Sequence, residues 1–176
     1  MTTLGCTVWL TGLSGAGKTT SAHALRDELA QCARSSLVID GDELRRGLSS
    51  DLGFSAADRD ENVRRAGEIA LLANLQGTVA IVSLISPRAS ARRTVRAAHE
   101  AAGARFIEVY MATPLAVCEA RDPKALYRRA RSGEQLHLTG VDDPYESPER
   151  AEVIVSTEHS SRAAIAATLL NAVLAL

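Results

Sequence analysis

Aromatic side chains are scarce: Trp9, Phe54, Phe106, Tyr110, Tyr127 and Tyr145 are the full set, 3% of a 176-residue chain. The core must therefore be aliphatic, and an aromatic outside a core pattern becomes a candidate for ligand stacking. Cysteine is equally sparse. Cys6, Cys32 and Cys118 are odd in number, far apart and without a C-x-x-C pair, which excludes a disulfide framework and a zinc site and points to a reducing, cytoplasmic setting. Neither sign of charge is in excess: 20 Lys plus Arg against 21 Asp plus Glu gives a net charge of -1. That excludes a bulk-basic nucleic-acid binder and an acidic disordered tail. No cation precedes Lys18, so the apolar N-terminal stretch lacks the charged start of a secretory signal. The longest uncharged run, 69–87, is broken in its middle by Asn74-Leu75-Gln76-Gly77 and reads as a helix end, a turn and a buried strand rather than a membrane span.

What is present suits one domain over residues 1–176: 46% of residues are hydrophobic and 23% charged, with no repeat and no linker. Short apolar runs at 6–10, 36–39, 78–84, 105–110 and 153–156 predict five strands. Helical patterns lie between them. Ser55 with Asp58 three residues on forms a capping-box start for a helix to about Leu75, Gly103 closes a helix over about 89–102, and Thr113-Pro114 opens another. A last helix covers about 161–174. Strands alternating with helices give an α/β class with a parallel sheet covered on both faces. The segment from about 121 to 148 breaks the alternation; it is polar, contains Gly133 and Gly140, shows little core pattern, and is expected to be a functional, mobile lid.

Residues 12–19, Gly12-Leu13-Ser14-Gly15-Ala16-Gly17-Lys18-Thr19, satisfy G-x-x-x-x-G-K-[ST] between a predicted strand and a predicted helix. Such a loop curls backbone N–H groups around an anion, adds the positive end of a helix, brings Lys18 to the β- and γ-phosphates and offers Thr19 to Mg²⁺. A dinucleotide fingerprint fits less well, because Thr20 stands where its third glycine belongs. A single small domain favours phosphate transfer to a small molecule over a motor or switch. Arg121, Lys124, Arg128, Arg129 and Arg131 place five cations within eleven residues of the lid, either a clamp for transferring phosphoryl oxygens or a solvated helix face. Asp40-Gly41-Asp42 ends the second strand, where ligands gather in open α/β sheets; Asp42, facing Arg45, is the carboxylate expected to hold Mg²⁺ or orient an acceptor hydroxyl, with a turn and helix cap as the alternative. Phe54 either stacks on a base or staples the helix that begins at Ser55.

Taken together, the phosphate loop through Thr20, Asp40-Gly41-Asp42-Glu43-Leu44-Arg45, residues 51–55, residues 58–65, Ile85-Ser86-Pro87, residues 118–124 and Thr139-Gly140 to Tyr145-Glu146 resemble the adenylyl-sulfate kinases, P-loop kinases that use ATP to phosphorylate the 3′-hydroxyl of adenosine 5′-phosphosulfate. The resemblance runs over nearly the whole chain. It implies ATP and Mg²⁺ as cofactors, with Gly12, Ser14, Gly15, Ala16, Gly17, Lys18, Thr19 and Thr20 on the phosphates and Arg121, Thr157 and Ser160 on the ATP adenine side. For the acceptor it implies Asp42, Arg45, Arg59, Asn62, Ile85, Ser86 and Lys124, with Phe54 stacked on the adenine and Leu138 at the second stacking position. Lys18, Asp42, Lys124 and Ser86 form the implied catalytic set, and Thr19 and Asp42 the implied metal ligands. A phosphorylated Ser86 is disfavoured, since no neighbouring base is evident to activate it. A homodimer, and a separate rather than fused ATP sulfurylase, are the implied partners. Three positions depart from the family pattern: Ala125 replaces a glycine, Leu138 an aromatic, and Arg88-Ala89 an aromatic-arginine pair. They leave open a kinase for another hydroxylated or nucleotide substrate; a nucleotide-binding regulator without turnover is the other alternative.

Overall fold

The computed structural model describes residues 5–134 and 136–175. Its strands are β1 (Cys6–Thr11), β2 (Ser36–Asp40), β3 (Val79–Ser83), β4 (Arg105–Met111) and β5 (Val153–Val155). They form one parallel sheet, as the alternating pattern predicts, and its order is β2-β3-β1-β4-β5. The helices are α1 (Lys18–Gln31), α2 (Gly41–Arg46), α3 (Ala56–Leu75), α4 (Ala89–Ala101), α5 (Leu115–Arg121), α6 (Leu126–Arg131) and α7 (Arg162–Leu174). The short helices α2 and α6 are the two elements that the sequence pattern leaves out. None of the described helices is long and apolar enough to cross a membrane.

The two-residue strand period sorts the core into two layers. Val8 and Leu10 of β1 face one side with Leu25 and Leu29 of α1 and Ile165 and Leu169 of α7, all at 2% exposure or less. Trp9 faces the other, with Val63, Ala66 and Ala70 of α3, Val95 of α4 and Phe106 of β4. On that side α3 and α4 approach so closely that a Cβ on Gly67 would lie 2.8 Å from Val95 Cγ1, which explains a glycine in mid-helix. The caps follow the sequence. Ser55 Oγ accepts the backbone N–H of Asp58, and Ser161 Oγ that of Ala164.

This topology places the strand carboxyl ends, and the loops after β1, β2 and β3, on one rim, with the order reversing at β1. The segment 121–148 is less detached than its polarity suggests. Tyr127 and Leu138 are buried in the core layer of β1, α1 and α7, and Thr139 is wholly buried. Ala125 starts α6 at φ 55°, a left-handed conformation that a glycine adopts without strain, so the departure at this position falls where the backbone asks for a glycine.

Candidate active site

A cavity of about 1390 Å³ opens on that rim and is lined by the phosphate loop, the ends of β2 and β3, and the lid. Its floor is the loop after β1. Gly17 stands at φ 92° as the residue before α1, and a Cβ there would meet Thr157 Cγ2 at 2.8 Å, so both conformation and space require glycine. Lys18, 8% exposed, donates from Nζ to the carbonyls of Gly12 at 2.8 Å and Leu13 at 2.7 Å. Burial lowers its pKa to about 8, against smaller opposing effects from Cys118, Asp40 and Asp42. Tyr127 of α6 donates its hydroxyl to the Ser14 carbonyl at 2.9 Å, which ties the lid's first helix to the loop.

One end of the cavity gathers Arg121, Thr157 and Ser160. Arg121 donates to Thr157 Oγ1 at 2.5 Å, to the Thr157 carbonyl at 2.9 Å and to the Gly15 carbonyl at 3.4 Å, so the lid's start, the loop after β5 and the phosphate loop meet at one guanidinium. Thr20 and His23 also line the cavity, and His23 Nδ1 is buried without a partner among the described residues.

The metal expectation divides between two carboxylates. Thr19 Oγ1 donates to Asp40 Oδ2 at 2.8 Å and lies 3.2 Å from Ser83 Oγ. Asp40, not Asp42, is therefore the carboxylate beside Thr19. Its other oxygen caps α2 by accepting Asp42 N–H at 2.9 Å, so the cap and the site share one side chain. Asp42 instead forms an ion pair with Lys124 of the lid. Hydroxyl and carboxylate oxygens are a hard donor set suited to Mg²⁺ completed by phosphates and water.

The opposite end holds Asp42, Arg45, Phe54, Arg59, Asn62, Ile85, Ser86 and Leu138. Phe54 is 56% exposed, with the guanidinium of Arg45 4.4 Å and that of Arg59 5.6 Å from its ring centroid. Arg59 also donates to the carbonyls of Phe54 and His137 and to Thr139 Oγ1, bracketing Leu138. Leu138 is 5% exposed and packed in the core, yet still lines the cavity. Asn62 is buried, and its Oδ1 has no partner among the described residues. A buried acceptor without a donor, on the wall of a cavity, is a position for a ligand donor.

Ser86 is oriented away from such a role. Trp9 Nε1 donates to its Oγ at 3.0 Å, and Ser86 Oγ donates on to Thr11 Oγ1 at 3.0 Å. Thr11 in turn donates to the Ile85 carbonyl at 2.7 Å and lies 3.0 Å from the Tyr145 hydroxyl. Because Thr11 gives its one proton to the Ile85 carbonyl, the Tyr145 hydroxyl is the donor of that pair, and burial raises its pKa to about 12.

A family model described as adenylylsulphate kinase matches residues 4–156. The chain belongs to the adenylyl-sulfate kinase family. Curated family members include the adenylyl-sulfate kinase of Paraburkholderia xenovorans, 50% identical over 88% of this chain and 84% of its own, and that of Escherichia coli K12, 51% identical over 88% and 76%. The structure of Mycobacterium tuberculosis APS kinase in complex with AMPPNP and APS superposes with a TM-score of 0.92 at 44% identity, covering 96% of both chains.

Within the family pattern, the five lid cations do not act alike in this chain. Arg131 pairs with Glu119 away from the cavity, Arg129 lines the cavity while paired with Glu134, and Arg121 and Lys124 line it as well. Sequence reasoning passed over Asp40 as the partner of Thr19, Tyr127 as the tether of the phosphate loop, and Trp9 and Thr11 beneath Ser86. The parallel register that sets Asp40 beside Ser83 could have indicated the first; nothing local in sequence marks the others.

Proposed function

We propose that this chain transfers the γ-phosphoryl group of ATP to the 3′-hydroxyl of adenosine 5′-phosphosulfate, giving 3′-phosphoadenylyl sulfate and ADP. The observation that carries this proposal is the acceptor end of the cavity, where an exposed aromatic platform, Phe54, lies beside two guanidinium groups and the amide oxygen of Asn62, which has no partner among the described residues. An adenine ring stacks on such a platform, and the guanidinium groups offer paired donors to its 5′-phosphosulfate.

ATP fits with its phosphates on the glycine loop and its base toward Arg121, Thr157 and Ser160. Lys18 would exchange the Gly12 and Leu13 carbonyls for phosphate oxygens. Thr19 and Asp40 would hold Mg²⁺, which supplies charge neutralisation on the phosphates. Asp42 would accept the proton of the acceptor hydroxyl once Lys124 leaves it for the transferring group. Phosphoryl transfer is chiefly positioning and charge stabilisation, so no serine nucleophile is required, and the hydrogen bonds that occupy the Ser86 hydroxyl support direct in-line transfer. The substrate is itself the product of ATP-driven sulfate activation, so an ATP sulfurylase would supply it, and a reducing cytoplasm would suit three free cysteines.

Leu138, with no π face, favours one second reading, a kinase for a different hydroxylated acceptor. Coupled ADP release with and without adenosine 5′-phosphosulfate tests the proposal: acceptor-dependent release supports it. Release that ignores the acceptor, or no release at all, overturns it, the latter in favour of a regulator.

A further inference from the structure

The loop after β3 has a backbone that its own residues do not explain. Ser86 sits at φ 40°, a left-handed conformation that non-glycine residues seldom adopt, and it is 2% exposed. A buried carbonyl held in such a conformation needs a strong donor. The donor is Arg92 of α4, whose Nη1 lies 2.7 Å from the Ser86 oxygen. Arg92 is 3% exposed and directs its other nitrogens elsewhere: Nε to Glu108 Oε1 of β4 at 2.7 Å and Nη2 to the Glu146 carbonyl at 2.7 Å. Arg92 lies three residues before Val95 and seven before His99, both buried, so a cation occupies the inward stripe of the helix. Glu108 balances its charge and is steadied by Arg96, which also pairs with Glu152.

One rigid guanidinium fork therefore joins the Ile85-Ser86-Pro87 loop to the point where the lid returns to the body. The two strands of backbone are also stitched directly, by Glu146 N–H to the Pro87 carbonyl at 2.9 Å and Ala89 N–H to Glu146 Oε2 at 2.7 Å. Ile85, Ser86 and Pro87 line the cavity, whereas Arg92 stands behind them.

We propose that Arg92 is a positioning residue for the acceptor: by holding the Ser86 and Glu146 carbonyls against Glu108 it sets the loop that the acceptor nucleotide meets, and leaves the ATP side untouched. It rests on the activity proposed above. Lysine keeps the charge but presents one nitrogen, which cannot serve three acceptors in the divergent directions that the planar fork reaches.

The test uses Arg92→Lys and the double variant Arg92→Leu with Glu108→Gln, which leaves no unpaired buried carboxylate. Acceptor kcat and KM are measured with saturating ATP, and ATP Kd by titration without acceptor. Both variants are expected to lose about tenfold or more in kcat/KM for adenosine 5′-phosphosulfate, the scale on which small displacements act, while ATP Kd stays within about twofold. Equal losses of ATP affinity, unaltered acceptor kinetics in a folded variant, or failure of both variants to fold would each overturn the positioning role. Wild-type turnover in the same assay separates the two proposals. Its absence removes the activity and the role with it; its presence beside unaltered variants removes the role alone.

Discussion

Lys124 of the lid and Asp42 at the start of α2, 82 residues apart, form an ion pair at the cavity. Both side chains are about half exposed, at 50% and 53%, so screening leaves the pair with little to contribute to stability. On the proposed reaction its value lies in the alternative partners each group would have, the transferring phosphoryl group for Lys124 and the acceptor hydroxyl for Asp42. If, as proposed, the cation meets the transferring group only in the transition state, Lys124→Ala is expected to lower kcat by about a hundredfold, with ATP Kd and the melting temperature nearly unchanged. Single-turnover kinetics alongside an ATP titration check this; an equal loss of ATP affinity would make Lys124 an ordinary ground-state contact.

Burial depresses the Lys18 pKa to about 8. Relative to its value of 10.5 in the unfolded chain, the folded state binds fewer protons between those limits, so apo stability rises as pH climbs through that window. Bound phosphates favour the charged form and raise the pKa again, so ATP binding takes up a proton at pH above about 8 and none at Lys18 well below it. Calorimetric titrations at about pH 8.5 in buffers of different ionisation enthalpy measure that uptake. Lys18→Ala is expected to abolish the uptake and to cost about a thousandfold in rate while the chain still folds.

Phe54 and Leu138 line the acceptor end of one cavity and are linked through Arg59. Base–aromatic stacking contributes about 1 to 3 kcal/mol per base, so Phe54→Ala is expected to raise the acceptor KM by about tenfold and Leu138→Phe to lower it by about two- to fivefold. Neither should alter ATP parameters. The effects should be non-additive in the double variant if both side chains contact one ring. If Leu138→Phe abolishes use of the sulfate nucleotide while another acceptor is used well, Leu138 sets a different specificity.

Ser86 separates two chemistries. With its hydroxyl occupied by Trp9 and Thr11, Ser86→Ala is expected to reduce kcat by about tenfold or less, the scale of a disturbed hydrogen-bond network. Loss of all turnover, together with a phosphorylated Ser86 detected by mass spectrometry of the wild-type enzyme, would establish a covalent intermediate instead.

Much of this site is legible in the sequence because it is built from local runs. The glycine loop, the Ser55 cap and the three strand ends each follow from residues adjacent in the chain, and parallel β–α alternation brings those ends to one rim. The division of labour between Asp40 and Asp42 does not follow, since both are carboxylates at a strand end. Only the register of β2 beside β3 and the α2 cap decide that Asp40 meets Thr19. The lid cations are similar: five share a segment, and only the fold decides that Arg121, Lys124 and Arg129 line the cavity while Arg131 pairs with Glu119 away from it. Arg92 and Tyr127 escape because their partners lie 6 to 113 residues away and are mostly backbone carbonyls, which carry no sequence signature.

The most direct measurement of the central claim is the product formed from ATP and adenosine 5′-phosphosulfate, identified by phosphorus NMR, together with kcat/KM for that acceptor against adenosine monophosphate and small sugars. The account predicts a new phosphate on the 3′-oxygen, one ADP per product, and the highest kcat/KM for the sulfate nucleotide. No acceptor-dependent product, phosphate at another position, or a higher kcat/KM for a different acceptor would contradict it.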